Sequence, residues 1–191
     1  MVKGMYHYLR EAWKKPGREL LHGNMIKWRA GGAVEKVDKP LRLDRARSLG
    51  YKAKKGIFVV RVRLIRGGRR RQRHGVKGRK SRKQSIRKML KMNYRWVAEI
   101  RAARKYVNME VLNSYFVGKD GRHYFYEVIM VDPAMPEIKS DETLRWIADN
   151  ANRKRAERGL TSAGKKARGM RSKSHSLKVR PSLRAWNRQG K

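Results

Sequence analysis

Residues Gly56–Lys105 read GIFVVRVRLIRGGRRRQRHGVKGRKSRKQSIRKMLKMNYRWVAEIRAARK, and this stretch decides the fold. Ile57–Ile65 is rich in β-branched residues, and every even-numbered position within it is apolar. Because side chains alternate between the two faces of a strand, one face is predicted to lie in the core. Arg61 and Arg63 place charge on the far half of the other face. The sequence therefore predicts a core strand over 57–65.

A basic segment and then a helical pattern follow this strand. From Arg66 to Ser85 the chain is nearly all Arg, Lys, Gly and other polar residues. Ser81 and Gln84 have the spacing of a capping box. Apolar residues then return at helical spacing, at Ile86, Met89, Leu90, Trp96, Val97, Ile100 and Ala103. The stretch is therefore a core strand and a core helix joined by a segment that cannot fold on its own.

The composition indicates a polyanionic partner. The 191 residues suggest one domain with extensions, and 52 Lys and Arg oppose only 15 Asp and Glu, a net charge of +37. Self-repulsion on this scale opposes a compact state, and an ordinary solubilising surface mixes both signs. Residues 61–105 hold 19 basic and one acidic residue, whereas 106–150 hold four and eight. We therefore expect one ordinary globular segment, with basic segments that bind nucleic acid.

Several kinds of site are excluded or disfavoured by the residues present. The absence of cysteine excludes disulfides, thiolate zinc sites and cysteine nucleophiles, and fits a reducing cytoplasm. The five histidines lack metal-site spacing, so we expect no cofactor and no protein metal site, although RNA-associated Mg²⁺ is compatible. No apolar run matches a membrane span or the centre of a signal peptide. We expect a soluble cytoplasmic protein that has neither a membrane nor a small-molecule substrate as partner.

The residues before the central stretch predict three helices and a loop. The helices are Met5–Lys15, Arg18–Arg29 and Leu43–Leu49, and Gly50 is placed to close the last one in a left-handed conformation. Ala30–Pro40 contains two adjacent glycines and is predicted to be a loop.

The residues after it predict a hairpin and one more helix. Glu110–Val117 and Arg122–Val131 flank the turn Gly118–Gly121, which contains two glycines. Ser140 or Asp141 is placed to cap a helix that follows.

Together these elements predict an α+β fold, with a small mixed or antiparallel sheet and packed helices. Apolar residues beyond about Ala156 are too scattered for an independent core, so Glu157–Lys191 is predicted to be a tail. The expected divisions are an N-terminal helical extension at 1–42, an α+β core at 43–150 with an inserted basic loop at 66–85, and a basic RNA-binding tail at 151–191.

The basic loop is the first candidate for contact with nucleic acid. Its glycines let the backbone approach a strand closely, and arginine makes bidentate contacts with phosphate. A solvated charge run is the alternative, and both descriptions hold if the loop is loose alone and ordered when bound. The candidate residues here are Arg61, Arg63, Arg66, Gly67, Gly68, Arg69, Arg70, Arg71, Arg73, His74, Lys77, Arg79, Lys80, Arg82, Lys83 and Arg87.

The second candidate is the segment 158–169, RGLTSAGKKARG. It matches the phosphate-loop pattern G-x-x-x-x-G-K at Gly159, Gly164 and Lys165, but Lys166 stands where a Mg²⁺-binding Ser or Thr belongs. No apolar strand precedes it either, so nucleotide hydrolysis is disfavoured and contact with RNA phosphate is favoured. The further basic candidates of this region are Arg158, Lys166, Arg168 and Arg171.

Two other clusters favour structural roles. The carboxylates of 120–149 fall at turns, proline-bounded loops and a helix start, and no nucleophile accompanies them. The hairpin carries five aromatic residues, Tyr115, Phe116, Tyr124, Phe125 and Tyr126. These rings could stack on single-stranded bases, but the hairpin carries little positive charge, so core or protein-contact roles are favoured. Trp186 has no core of its own and is the better stacking candidate.

Four strings in the chain resemble one protein family. They are MYHYLREAW at residue 5, LDRARSLGYKAKKGIFVVRVRLIRGGRRR at 43, VLNSYFVGKDGRHYFYEVIMVDP at 111 and RGLTSAGKKARG at 158. In this order they resemble the "fifteen-e" family of large-subunit ribosomal proteins of archaea and eukaryotes, and the length is closer to archaeal members.

The resemblance implies a non-catalytic protein that binds 23S-type rRNA, has a small α+β core, and touches neighbouring ribosomal proteins without forming homo-oligomers. It also implies a cytoplasmic location in the large ribosomal subunit. The RNA contacts that it implies are Lys52, Lys54, Lys55, Arg66, Gly67, Gly68, Arg69, Arg70, Arg71, Thr161, Ser162, Gly164, Lys165 and Arg168.

Two other functions compete with this one. A DNA-compacting chromatin protein would need the same charge but no defined RNA shape. An enzyme acting on RNA or nucleotides would need a catalytic constellation that the sequence does not display.

Overall fold

The computed structural model describes residues 2–70, 87–88, 90 and 92–171, and its centre is an antiparallel sheet. The sheet has four strands, β1 (Val34–Val37), β2 (Ile57–Ile65), β5 (Glu110–Lys119) and β6 (His123–Val131), in the order β1-β2-β6-β5. The short strands β3 (Arg69–Arg70) and β4 (Arg87–Lys88) pair separately as an antiparallel ribbon. The predicted α+β class is confirmed.

Helices lie on both faces of this sheet. They are α1 (Met5–Ala12), α2 (Arg18–Ala30), α3 (Leu43–Ser48), α4 (Tyr94–Lys105), α5 (Pro136–Lys139) and α6 (Ser162–Ala167). Two 3₁₀ turns, Arg145–Ala148 and Asn150–Asn152, lie between α5 and α6.

One face of the sheet packs against α4. Ala98 and Ala102 of α4 are fully buried against side chains of β2, β5 and β6. The sheet residues in this layer include Val60, Val62, Leu64, Val111, Val128 and Met130. The small alanine side chains let the helix approach the sheet closely. The even-numbered face of β2 lies in this core layer, as predicted.

The opposite face packs against the N-terminal helices and the segment after β6. Trp28 of α2 packs against Phe125 of β6, with ring centroids 5.2 Å apart and ring planes inclined at 58°. Further buried side chains in this layer are Ala46, Ile57, Ile129, Val131, Ile138, Leu144 and Ile147. Because β6 is covered on both faces, Val128–Val131 are apolar in succession and show no alternation.

Several elements match their predictions. β2 has the predicted bounds, and the hairpin of β5 and β6 is confirmed, although β5 extends into the predicted turn as far as Lys119. The helix α3 is followed by Gly50 at φ 99°, the left-handed conformation that favours glycine there. The register of β5 on β6 shifts twice, between Val111 and Asn113 and between Phe116 and Gly118.

The prediction of a loop over Ala30–Pro40 is wrong in its centre, where the strand β1 pairs with β2. Val34 lies opposite Val62, and Val37 lies opposite Val59. A four-residue edge strand is held mainly by backbone hydrogen bonds to its neighbour, and so has little side-chain pattern of its own.

The predicted start of the central helix is also wrong. Helix α4 begins after Asn93, whose side chain accepts a 2.7 Å hydrogen bond from the backbone N–H of Trp96. Upstream of this helix, β4 is an extended strand that pairs with β3. Leu90, which was predicted to lie on the apolar side of the helix, is exposed. The predicted capping box of Ser81 and Gln84 lies outside the described residues.

The predicted tail is packed as far as Arg171. Ala156 and Ala163 are buried, and α6 lies against α4 and β5. Arg155 is also buried, with its guanidinium 4.9 Å from the Trp146 ring and 2.8 Å from the carbonyl of Leu112. Scattered apolar residues are sufficient here because they complete a core that other elements supply. The predicted helix after Asp141 is instead a 3₁₀ turn.

Candidate nucleic-acid interface

The lysines before β2 make an internal ion pair. The Lys52 Nζ lies 2.8 Å from Asp141 Oδ2, and Lys54 contacts the same carboxylate. These two ammonium groups hold the pKa of Asp141 well below its usual range. Both lysines therefore tie the loop before β2 to the segment after β6, while Lys55 is exposed. That Lys52, Lys54 and Lys55 contact RNA stays a prediction.

Arg61 and Arg63 hold α2 on the sheet. The guanidinium of Arg61 lies 4.9 Å from the Trp28 ring and 3.3 Å from Glu35 Oε2. Arg63 donates to the backbone carbonyls of Trp28 and Arg29 at the end of α2. The charged half of this β2 face is therefore covered by α2, and the structure gives both arginines packing roles in addition to the predicted contact with RNA.

The start of the basic loop is fixed at one end of the sheet. Arg66 donates a 2.7 Å hydrogen bond to the carbonyl of Asp120, and its guanidinium lies 5.1 Å from the Tyr124 ring. The Tyr94 hydroxyl bridges the backbone N–H and carbonyl of Gly67, each at 2.8 Å. Gly67 has a φ of 111°, which strains any other residue. Arg66, Gly67 and Gly68 are all exposed where the chain leaves the sheet.

The segment 158–169 is anchored by a buried carboxylate. Glu99 of α4 accepts hydrogen bonds from the hydroxyls of Ser114 and Thr161. Thr161 also accepts a 3.2 Å bond from the N–H of Gly164 and so caps α6. Burial raises the pKa of Glu99, and the two hydroxyl bonds oppose that rise. This network attaches α6 to α4 and to β5.

Gly159 and Gly164 of that segment are packed against each other and do not form an open phosphate-binding loop. A Cβ atom on Gly164 would lie 2.6 Å from the Cα of Gly159, and Gly159 has a φ of 67°. Thr161 and Gly164 are buried, so the structure gives them a packing role where contact with RNA was predicted. Thr161 and the two glycines of the motif therefore lie inside the fold.

Exposed cations remain on the outer side of α6. Lys165, Lys166 and Arg171 are exposed, and Arg171 donates a 2.7 Å hydrogen bond to Ser162. Arg168 instead donates to the backbone carbonyl of Arg158, and the exposed Arg158 donates to the carbonyl of Ala151. Of the predicted contacts in this segment, Lys165, Lys166 and Arg171 thus present charge outward.

A cleft of about 860 Å³ brings the two predicted regions together. Gly67 and Gly68 line it together with Ser162, Lys166 and Arg171. Tyr94, Arg95, Phe116 and Tyr126 also line it, and we call these four residues its floor. The beginning of the basic loop and the outer side of α6 therefore meet across one concave surface, which we call the aromatic cleft.

Sequence reasoning does not bring these residues together. The pattern favours core or protein contact for Phe116 and Tyr126, and it assigns no role to Arg95. A second cavity of about 630 Å³ adjoins the cleft and shares Arg95 and Phe116 with it. Its lining adds three more arginines, Arg10, Arg42 and Arg45. The one available signal is strand alternation, which places Phe116, Tyr124 and Tyr126 on the α4 side of the sheet.

The remaining predicted contacts lie wholly or partly outside the described part of the chain. The backbones of Arg69, Arg70 and Arg87 form the β3–β4 ribbon at the base of the loop. Those outside are Arg71, Arg73, His74, Lys77, Arg79, Lys80, Arg82, Lys83 and Trp186. Within the described ranges, no three His, Asp or Glu side chains are grouped as metal ligands would be. No helix among those residues has the length and apolar character needed to cross a bilayer.

Comparison with known proteins gives a consistent result. A family model described as "Ribosomal L15" matches residues 4–186. "Large ribosomal subunit protein eL15" of Methanocella arvoryzae is 51% identical over 197 residues, covering all of both chains. The protein of the same name from Methanospirillum hungatei is 52% identical over 191 residues, covering 97% of each. Both matches span far more than single motifs, and the chain belongs to the ribosomal L15e family, which its motifs resemble.

Proposed function

We propose that this protein is a structural constituent of the large ribosomal subunit that binds and stabilises folded 23S-type rRNA. Its place is the cytoplasmic ribosome, as one copy among neighbouring ribosomal proteins, with no catalytic role. The observation that carries the proposal is the excess of positive charge that the protein itself does not neutralise. Only 15 carboxylates face 52 Lys and Arg, and many of those carboxylates are already engaged within the protein.

The engaged carboxylates show how little negative charge is left. Asp141 binds Lys52 and Lys54, and Glu99 and Glu127 are buried. Glu110 accepts a 2.6 Å bond from the backbone N–H of Lys154. The segment 66–91, by contrast, contains no acidic residue at all. Its cations therefore need phosphate groups from outside the protein.

The mechanism that follows is charge neutralisation by a shaped scaffold. The sheet and α4 hold the base of the basic loop and the outer side of α6 around the aromatic cleft. RNA duplexes offer few readable base edges, so selectivity comes from tertiary shape, 2′-hydroxyl groups and unpaired bases. The basic loop and C-terminal segment then supply phosphate contacts along the rRNA surface.

Competition between two polyanions separates this function from DNA compaction. We expect folded rRNA to displace duplex DNA from the full-length chain at matched salt and matched phosphate concentration. We also expect the logarithm of rRNA affinity to fall steeply with the logarithm of salt concentration, by about 0.7–0.9 per phosphate contact. The measurement is filter binding of labelled rRNA across a salt series with each competitor. Equal displacement by duplex DNA would support the chromatin function, and a flat salt series would contradict both.

A further inference from the structure

Four aromatic rings lie together at the aromatic cleft, and three of them, Tyr94, Phe116 and Tyr126, line it. The Phe116 ring lies 5.7 Å from Tyr126 and 6.4 Å from Tyr124, and Tyr94 lies 4.7 Å from Tyr124. Phe116 leaves 39% of its surface exposed. Tyr94, Tyr124 and Tyr126 are partly buried against the α4 side of the sheet, and Phe116 is the exposed ring beside them.

The register of the hairpin decides on which face of the sheet Phe116 lies. β5 shifts by one residue against β6 between Phe116 and Gly118, so that Phe116 lies opposite Tyr126 and Gly118 opposite Phe125. The register is continuous from Asn113 to Phe116, so Tyr115 and Phe116 lie on opposite faces of the sheet by ordinary alternation. Tyr115 is buried on the far face, while Phe116 lies on the α4 side next to solvent.

Cations surround the rings on several sides. The guanidinium of Arg66 lies 5.1 Å from the Tyr124 ring. Arg95 is held by hydrogen bonds to Ser114 and Asn113, with its Nε 2.8 Å from the Ser114 hydroxyl. Lys166 and Arg171 line the same cleft. Among the described residues that line it, none is acidic.

The adjoining cavity adds a place for phosphate. Arg10, Arg42 and Arg45 converge there with Arg95, and Asp44 is the one acid among its described lining residues. Burial lowers the pKa of Arg95, the negative charge of Glu99 raises it, and the positive charges of Arg45 and Arg171 lower it. An anion bound in this cavity would offset the repulsion among the arginines that line it.

We propose that the aromatic cleft holds a single unstacked nucleotide of the rRNA. Its base would lie against Phe116 and Tyr126, and its flanking phosphates would lie on Arg95 and the neighbouring arginines. Every base has a face that can stack on an aromatic ring, and arginines beside the rings match the negative charge of the strand. A base within a duplex has no free face for this contact, so the site selects unpaired RNA. This inference rests on the proposed function and gives it a specific point of contact.

Three variants of the full chain test it. Phe116→Leu removes the ring and keeps an apolar side chain, Phe116→Tyr keeps the ring, and Tyr8→Leu removes a ring that is 61% exposed on α1. The probes are a short single-stranded oligouridylate and an RNA duplex of similar length. We expect Phe116→Leu to bind the single strand about 5–100-fold more weakly, with an unchanged salt slope because no charge is removed. The duplex should bind all variants equally, and Phe116→Tyr and Tyr8→Leu should behave as wild type.

Ultraviolet cross-linking of the unaltered chain to the same oligouridylate gives a second measurement that does not depend on a variant folding. We expect a uridine adduct on the tryptic peptide 106–119, which contains Phe116, or on 123–139, which contains Tyr126. Adducts confined to other peptides would overturn the inference. Unchanged affinity of Phe116→Leu for the single strand would also overturn it. Either outcome leaves the competition of rRNA with DNA intact, so the two proposals fail separately.

Discussion

Replacing Arg71, Arg73, Lys77 and Arg79 with glutamine should weaken rRNA binding by about a hundredfold or more at moderate salt. Each of these residues lies in the acid-free segment 66–91, and removing one phosphate interaction should reduce the salt slope by about 0.7–0.9. The four together should therefore reduce the slope by about 3. Filter binding of a 23S-type rRNA fragment across a salt series measures both quantities.

The chain offers a matched control for this experiment. Lys119, Arg122, Lys139 and Arg145 are the four basic residues of 106–150, and all four are exposed. Replacing them with glutamine also lowers the net charge of +37 by four. If binding depends on where the charge lies, this control should retain nearly the wild-type slope. Equal weakening of the two variants would show that only total charge matters, and would contradict a defined binding surface.

Glu99→Ala should destabilise the folded core by about 2–4 kcal/mol and release α6 from it. The change leaves the buried hydroxyls of Ser114 and Thr161 without their acceptor, and each unpaired buried group costs about 1–3 kcal/mol. Denaturant unfolding measures the decrease in stability, and amide hydrogen exchange of 162–167 measures the release of α6. Glu142→Ala, at an exposed acid, is the control and should change little.

Glu99→Gln separates the hydrogen bonds of this site from its charge. Burial raises the folded-state pKa of Glu99 above its ordinary value of 4.5, so the folded state retains a proton that the unfolded state releases. The resulting stabilisation is complete below pH 4.5 and is lost as the pH rises through the folded-state pKa. The glutamine does not titrate, so its stability relative to wild type should improve across that rise. A difference that is independent of pH would contradict the buried, titrating carboxylate.

The local sequence pattern was sufficient to predict those elements whose side chains face a core. β2 was predicted to the residue because its alternation and β-branched content both indicate a strand. Gly50 was placed correctly because a left-handed helix end has a strong residue preference. The hairpin was found from its two apolar runs and the glycines between them.

The remaining features depend on partners distant in sequence. β1 exists because its backbone pairs with β2, and its two valines give little signal. The beginning of α4 depends on the pairing of β3 with β4, which a pattern of apolar spacing does not reveal. Glu99 meets Ser114 and Thr161 across 15 and 62 residues of sequence. The aromatic cleft required the pairing of β5 with β6 and the packing of α4, which bring Phe116, Tyr126 and Tyr94 together.

The candidate RNA contacts also divide into those that the sequence alone indicates and those that depend on the fold. Composition alone indicated the basic loop and the polyanionic partner, because those depend on charge density and not on geometry. Geometry decided which residues of the predicted set present charge outward. Thr161 and Gly164 are buried, and Lys52 and Lys54 share the carboxylate of Asp141, whereas Lys166 and Arg171 face the cleft.

Sedimentation of a cell lysate tests the central claim, that this chain is held in the large ribosomal subunit by phosphate contacts. The lysate is fractionated on a density gradient at moderate salt and again at high salt, and the protein is followed in every fraction. We predict that it sediments with the large subunit at moderate salt and dissociates only at high salt, because its contacts are with rRNA phosphate. A protein that remains at the top of the gradient at moderate salt, or that sediments with DNA, would contradict the account.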